Sequence, residues 1–216
     1  MSLQVNLVKE NEAPKKLALN LTKEEHFTVR LSWDEATFGE KTDIDLHAIV
    51  CTNTGAGAKA SAMEDVLSTY NVRRMIRGQQ VGTLEKMADG TFEVYGGALL
   101  HSPDATDGAK EGDDEWIKVS PSKLPPVASG VREIPLVAMI HPQASGKRFK
   151  DVRNATVEIL DGSSKSLMKA TLTNQFGNYS AVQMGTVMIH SNGSSEFVAV
   201  GTGFDGDFNT VLGYFS

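Results

Sequence analysis

Along the first third of the chain, apolar and polar residues alternate with a period of two. Leu3, Val5 and Leu7 form one such run, and Leu17, Leu19 and Leu21 a second. Phe27, Val29, Leu31 and Trp33 form a third, with Thr28, Arg30 and Ser32 pointing the other way. Successive side chains of an extended chain point to opposite faces, so these runs predict half-buried antiparallel strands. Trp116–Val119, Ile134–Ile140, Leu167–Leu172, Val182–Ile189 and Phe197–Phe204 read as further strands, and Asp89-Gly90 as the turn of a hairpin with Thr83, Glu85 and Met87 in its first arm and Phe92 and Val94 in its second. One segment breaks the pattern. Met63, Val66, Leu67 and Tyr70 recur at helical spacing behind the capping pair Ser61 and Glu64, and Gly78 supplies a stop. That predicts an α-helix over about 62–77, with Arg73, Arg74 and Arg77 on its solvated face near the C-terminus, where the helix dipole favours cations. The fold class is mainly β, a two-sheet β-sandwich with one inserted α-helix.

Between the strand patterns lies His101–Ile117, HSPDATDGAKEGDDEWI. Six carboxylates, Asp104, Asp107, Glu111, Asp113, Asp114 and Glu115, fall within twelve residues against one lysine, Lys110. Gly108 and Gly112 let the backbone turn there. Two like charges ~5 Å apart repel by roughly 3 kcal/mol at an effective dielectric of 20. Such a loop must spread in solvent, raise its pKa values, or hold a cation. A hard divalent ion with oxygen ligands meets the third condition. A second acidic pair, Asp43 and Asp45, flanks Ile44 just after Thr42. Two residues apart on an extended chain, the two carboxylates share a face, while Ile44 and Leu46 enter the core. Alone, the pair reads equally as a charged strand edge that blocks sheet-to-sheet pairing.

The order of residues adds what charge density does not. His101, Ser102, Asp104, Gly108, Gly112, Asp113, Asp114, Glu115 and Ile117 match, without a gap, the central motif of the TerD family, the calcium-binding domains of tellurium-resistance and general stress proteins. Pro103, Ala105, Asp107 and Lys110 depart from it, and Asp107 stands in for the oxygen ligand lost at Ala105. Val29, Leu31, Trp33, Asp34, Asp43, Asp45 and Leu46 resemble a second family segment. Phe149–Ala155, Phe197–Phe204 and Leu212–Tyr214 resemble its closing elements. The resemblance covers about three-quarters of the chain and is poorest between the two acidic motifs. It implies a single domain over 1–216, with 52–97 a helix-plus-hairpin insertion. It also implies one or two Ca2+ ions held by Asp43, Asp45, Asp104, Asp113, Asp114 and Glu115, with Asp34 and Asp107 ranked behind them. The function implied is that of a non-enzymatic calcium-binding stress or tellurite-resistance protein acting through protein partners.

Composition narrows the alternatives. The formal charge of −6 argues against a nucleic-acid surface. Cys51 is the single cysteine, so there is neither an intrachain disulfide nor a cysteine-rich zinc site. No apolar run approaches the ~18 residues of a membrane span, and no leader-like segment opens the sequence, so a soluble cytoplasmic protein is expected. The acidic loop is not an EF-hand. Counted from Asp104, its third, fifth and sixth positions are Thr106, Gly108 and Ala109, where oxygen ligands and then glycine are needed. Asp205, Asp207 and Asn209 read as a polar turn. The glycine-rich TNTGAGAKASA lacks phosphate-loop spacing. His26, His47, His101, His141 and His190 show no paired zinc spacing. Two further readings remain open. One is a calcium-dependent membrane- or ligand-binding β-sandwich, although Pro103, Ala105, Ala109 and Lys110 make the loop a weak membrane anchor. The other is a carboxylate-metal phosphate-ester hydrolase, for which Lys110 alone is a poor phosphate clamp.

Overall fold

The computed structural model describes residues 15–19, 26–34, 41–108, 114–144 and 146–216. In chain order the strands are β1 (Lys15–Leu19), β2 (Phe27–Asp34), β3 (Ile44–Ile49), β4 (Cys51–Asn53), β5 (Ala58–Lys59), β6 (Val66–Leu67), β7 (Arg74–Ile76) and β8 (Gln79–Val81). They continue with β9 (Phe92–Val94), β10 (Leu99–His101), β11 (Glu115–Val119), β12 (Val131–Ile140), β13 (Arg153–Leu160), β14 (Ser166–Thr171), β15 (Ala181–Ile189) and β16 (Ser195–Phe204). Two short α-helices, α1 (Leu172–Gln175) and α2 (Phe208–Gly213), and four single 3-10 turns complete the described elements. The expected strand at Leu3–Leu7 lies outside the described residues, as does Leu21.

All the strands but the β7-β8 hairpin form two antiparallel layers. One has the order β1-β16-β15-β12-β3-β6, with β4 bonded to β12 and β5 to β4; the other has the order β14-β13-β2-β11-β10-β9. The period-2 runs account for the packing between them. Phe27, Val29, Leu31 and Trp33 of β2 are buried and their neighbours half-buried, and they share one core with Ile44, Leu46, Ile134, Leu136 and Phe197 of the facing layer. Strand β3 is covered on both sides. Its Ile44, Leu46 and Ala48 enter the main core. Its other face carries Asp45, His47 and Ile49, and Ile49 joins a second cluster with Val137, Met139, Phe208, Val211 and Phe215. Asp207 starts the C-terminal helix by accepting from the Thr210 N–H at 2.9 Å, so the polar turn expected there is an N-cap.

The helix expected over 62–77 does not form. Met63–Asp65 and Thr69–Asn71 are single 3-10 turns, with β6 between them and β7 after them. Val66 and Leu67 are claimed by the open edge of β3, opposite Ile49 and Ala48. The Asn71 amide donates to the carbonyls of Met63 and Val66 at 2.6 and 2.9 Å, taking the acceptors that a continuing helix would use. Arg77 and Gly78, both at positive φ, turn β7 into β8 as a two-residue hairpin loop. The local period was helical, but a buried strand edge needing partners outweighed it. The turn at Asp89-Gly90 is present, closed by the Met87 N–H on the Thr91 carbonyl at 2.7 Å. Its second arm, however, pairs forward: Phe92–Val94 bonds to Leu99–His101.

Candidate metal site

The site is built on the open edge of β3. This strand pairs with β12 from Ile44 to Ala48, but with β6 only at Ala48 and Ile49. The other layer supplies what Leu46 lacks. Glu115 Oε2 accepts its N–H at 2.7 Å, and His101 Nε2 lies 2.8 Å from its carbonyl oxygen. Both side chains are fully buried. This is the reason a glutamate and a histidine sit inside the sandwich: they take the place of a missing neighbouring strand. His101 Nδ1 faces the Ser102 carbonyl at 2.8 Å, and the ring stacks on Phe92 at 4.5 Å. Burial lowers the His101 pKa, opposed by the two carbonyls and by Asp104. A neutral ring with one proton donates to one of those carbonyls at a time.

The entry to β3 is fixed as well. Trp33 Nε1 donates to the Thr42 carbonyl at 2.7 Å, and the Trp33 N–H donates to Asp114 Oδ2 at 2.9 Å. Gly108 packs so closely on this tryptophan that an added Cβ would lie 2.5 Å from the Trp33 carbonyl oxygen. Only glycine fits there. These contacts bring the acidic loop against the start of β3.

Two overlapping groups of ligand-type side chains result. Asp43, Asp45 and His141 have donor atoms within 4.8 Å of one another, and so do Asp45, Asp104 and Glu115. Asp45 belongs to both and is 1% exposed. Its two oxygens accept from the Thr69 and Tyr70 hydroxyls, each at 2.8 Å. Asp43 Oδ1 is buried and has no hydrogen-bond partner among the described residues. No lysine or arginine pairs with Asp43, Asp45 or Asp104 among the described residues.

The electrostatic consequence is a set of raised pKa values. Burial, then the charges of Asp45, Asp104 and Asp107, push Asp43 up to about 7. Burial raises Asp45 against the pull of its two hydroxyl donors. Glu115 lies well above the usual carboxylate range, first through burial and then through Asp45. Crowded short carboxylates with an unsatisfied buried oxygen and no paired side-chain cation form a donor set suited to a hard divalent ion.

Four of the eight residues read from the sequence as ligands fall in these two groups: Asp43 in the first, Asp104 and Glu115 in the second, and Asp45 in both. Asp107 lies close enough to raise the Asp43 pKa, but one of its oxygens takes Lys41 Nζ at 2.7 Å. Asp114 holds the Trp33 backbone, and Asp34 accepts from the Asn154 amide at 2.6 Å; neither joins a group. Asp113 lies outside the described residues. Sequence reading missed His141, Thr69 and Tyr70. His141 follows β12, and its N–H donates to the Asp43 carbonyl at 2.9 Å, so its place beside the acids comes from strand register. No local spacing reveals that neighbour.

Comparison with known proteins bears on the family and the fold. The TerD domain family matches residues 91–215. General stress protein 16U of Bacillus subtilis (strain 168) is 30% identical over 180 residues, covering 82% of this chain and 80% of its own. Tellurium resistance protein TerD of Alcaligenes sp is 28% identical over 186 residues, covering 85% and 83%. The crystal structure of a homologue of the telluride resistance protein TerD from Streptomyces coelicolor A3(2) has a TM-score of 0.64, covering 88% of this chain and 95% of that one. At 19% identity that likeness speaks for the fold alone. A domain match over more than half of the sequence, from β9 to the last helix, together with relatives aligned over most of their length, makes this chain a member of the TerD family.

Proposed function

We propose that this protein is a non-enzymatic calcium-binding protein of stress or tellurite resistance, acting in the cytoplasm through protein partners. The observation that carries the reading is the meeting of Asp43, Asp45, Asp104 and Glu115 at the open edge of β3, with Asp43 Oδ1 buried and unpartnered. Calcium accepts six to eight oxygens in flexible geometry, which suits short carboxylates drawn from a strand and a loop, whereas magnesium demands a tight octahedron. Asp43, Asp45, Asp104 and Glu115 would hold the ion, whose charge would remove the repulsion among them. Relatives named as general stress and tellurium resistance proteins supply the biological setting. No helix among the described residues is long and apolar enough to cross a membrane. We also take 1–216 as one domain in which 52–97 is an insertion. The catalytic part of the reading is tested by phosphoester and glycoside substrates, which should remain unturned with calcium, magnesium or manganese.

The experiment for the metal is thermal melting in calcium against chelator. At a hundredfold excess over its dissociation constant, one ion stabilises by about 2.7 kcal/mol. For a chain of this size that is a melting shift of roughly 5–11 °C. The shift should shrink in Asp43→Asn and Asp104→Asn. Identical wild-type curves in calcium and chelator would sink the assignment.

A further inference from the structure

Acids of the metal site line a cleft of about 750 Å³ whose lining also includes arginines that the sequence assigned to the solvated face of a helix. Asp43, Asp45 and Asp104 line it together with Arg73, Arg74 and Lys86. The volume falls in the range of about 300–1,000 Å³ in which proteins hold small molecules. We propose that this cleft binds a phosphate group, carried on a small molecule with an apolar body, whose oxygens bridge the bound divalent ion to Arg74 and Lys86. The proposal rests on the metal reading above.

Three features carry it. The first is the placement of the cations. Arg73 is tied to Glu85 by an ion pair. Arg74 is held by its Nη1 on the carbonyls of Thr69, Tyr70 and Val72 at 3.2, 2.9 and 3.2 Å, while its Nε and Nη2 have no partner among the described residues. Lys86 is exposed and has no ion-pair partner among them. A guanidinium fixed through one nitrogen, with its other donors unused, is prepared for an oxyanion at little further entropic cost.

The second is the balance of charge. With Arg73 neutralised by Glu85, three carboxylates face Arg74 and Lys86 and, where all three are ionised, outweigh them, so the ion-free cleft then holds no surplus of positive charge for an anion. A divalent ion reverses the sign. Anion binding therefore requires the metal to be in place first. Phosphate fits better than a carboxylate because its three terminal oxygens can take a guanidinium bidentately and still leave one for a hard cation, whereas a carboxylate has only two.

The third is the wall. Tyr70, fixed by its bond to Asp45 and stacked on His141 at 5.4 Å and Phe208 at 5.2 Å, stands beside Val72 and Ile76, and all three line the cleft. They supply an apolar surface next to the charged groups.

The test is calorimetric titration of the full chain with phenyl phosphate, inorganic phosphate and benzoate, in calcium and in chelator. Phenyl phosphate should bind in calcium, and inorganic phosphate more weakly for want of the ring. Benzoate should not register. Chelator should abolish the phosphate signal, and Arg74→Gln and Lys86→Gln should each weaken it about tenfold, the scale of one lost hydrogen bond to a charged group, while calcium still binds. Vesicles of phosphatidylcholine with and without phosphatidic acid separate a soluble ligand from a lipid headgroup. Recruitment that requires both calcium and Arg74 keeps the phosphate site and assigns its source to lipid. Calcium binding with no response to any phosphate source overturns this inference and leaves the metal reading standing. Phosphate binding that persists in chelator overturns the ion bridge. Absence of calcium binding overturns both.

Discussion

The acids carried on strands and the acids carried on the loop behave oppositely. Asp43 leads into β3, Asp45 lies within it and Glu115 opens β11; the last two are buried, Asp43 is half-buried, and all three hold their protons more tightly than usual. On the loop, Asp104 is exposed, Asp107 meets Lys41, and Asp114 is fastened to the Trp33 amide. The sequence is most acidic along the loop, yet the electrostatic strain sits on the strands. Burial explains the difference between Asp104 or Asp107 and the strand acids: a carboxylate that can rotate into water or find a lysine costs little, whereas Asp45 and Glu115, almost wholly out of water, can do neither.

The largest expected effect breaks this contrast at Glu115. Glu115→Ala should destabilise the protein by about 3 kcal/mol in urea denaturation, through an unsatisfied Leu46 N–H and the space left behind. Glu115→Gln keeps an acceptor for Leu46 and removes the charge, so in chelator it should be at least as stable as the wild type. A glutamine variant as unstable as the alanine variant would show that the charge is no burden there.

Next comes the calcium response itself. Asp45→Asn should remove most of the calcium-induced melting shift, because Asp45 belongs to both ligand groups. Asp107→Asn should keep most of it. Equal losses in the two variants would place the ion on the loop and erase the distinction drawn here.

The pH dependence sharpens it further. A carboxyl with a raised folded-state pKa contributes stability that is complete below its unfolded value, 3.8, and lost as pH rises through about 7. In chelator the melting temperature should therefore fall over that window. In calcium the fall should be smaller, since the ion replaces the proton, and binding should release protons measurable by calorimetry in buffers of different ionisation enthalpy. A flat profile in chelator would mean that Asp43 keeps an ordinary pKa.

The smallest effect belongs to the loop. Asp107→Asn loses an ion pair whose lysine is 69% exposed, and its cost in chemical denaturation should stay within about 1 kcal/mol. A larger loss would put Asp107 among the strained acids.

How much of this was legible follows the range of the interactions. The alternation in Phe27–Trp33 and in Ile134–Ile140 reports burial directly, and both segments are strands. Asp43 and Asp45 were readable because their spacing sets a shared direction. Tyr70 was assigned to a helix, since Met63, Val66, Leu67 and Tyr70 satisfy a helical period. The deciding fact, the unpaired edge of β3 beside Val66 and Leu67, lies about twenty positions away. His141 and Arg74 were invisible as site residues for the same reason: one depends on the register of β12 against β3, the other on a hairpin that folds over the acids.

The pairing of β1 with β16 has a consequence for how the chain is made. Leu17 lies opposite Phe197, so the first described strand finds its partner almost at the far end of the sequence. During synthesis that partner is still inside the ribosome after most of the chain has emerged. The edge of β16 beside β1 and the outer face of β3, which waits for Phe208 and Phe215, are completed last. Contacts of such long sequence separation slow folding and leave strand edges open to other chains in the meantime. Removing α2 would leave Ile49, Val137 and Met139 without Phe208 and Val211, and so would prolong that exposure.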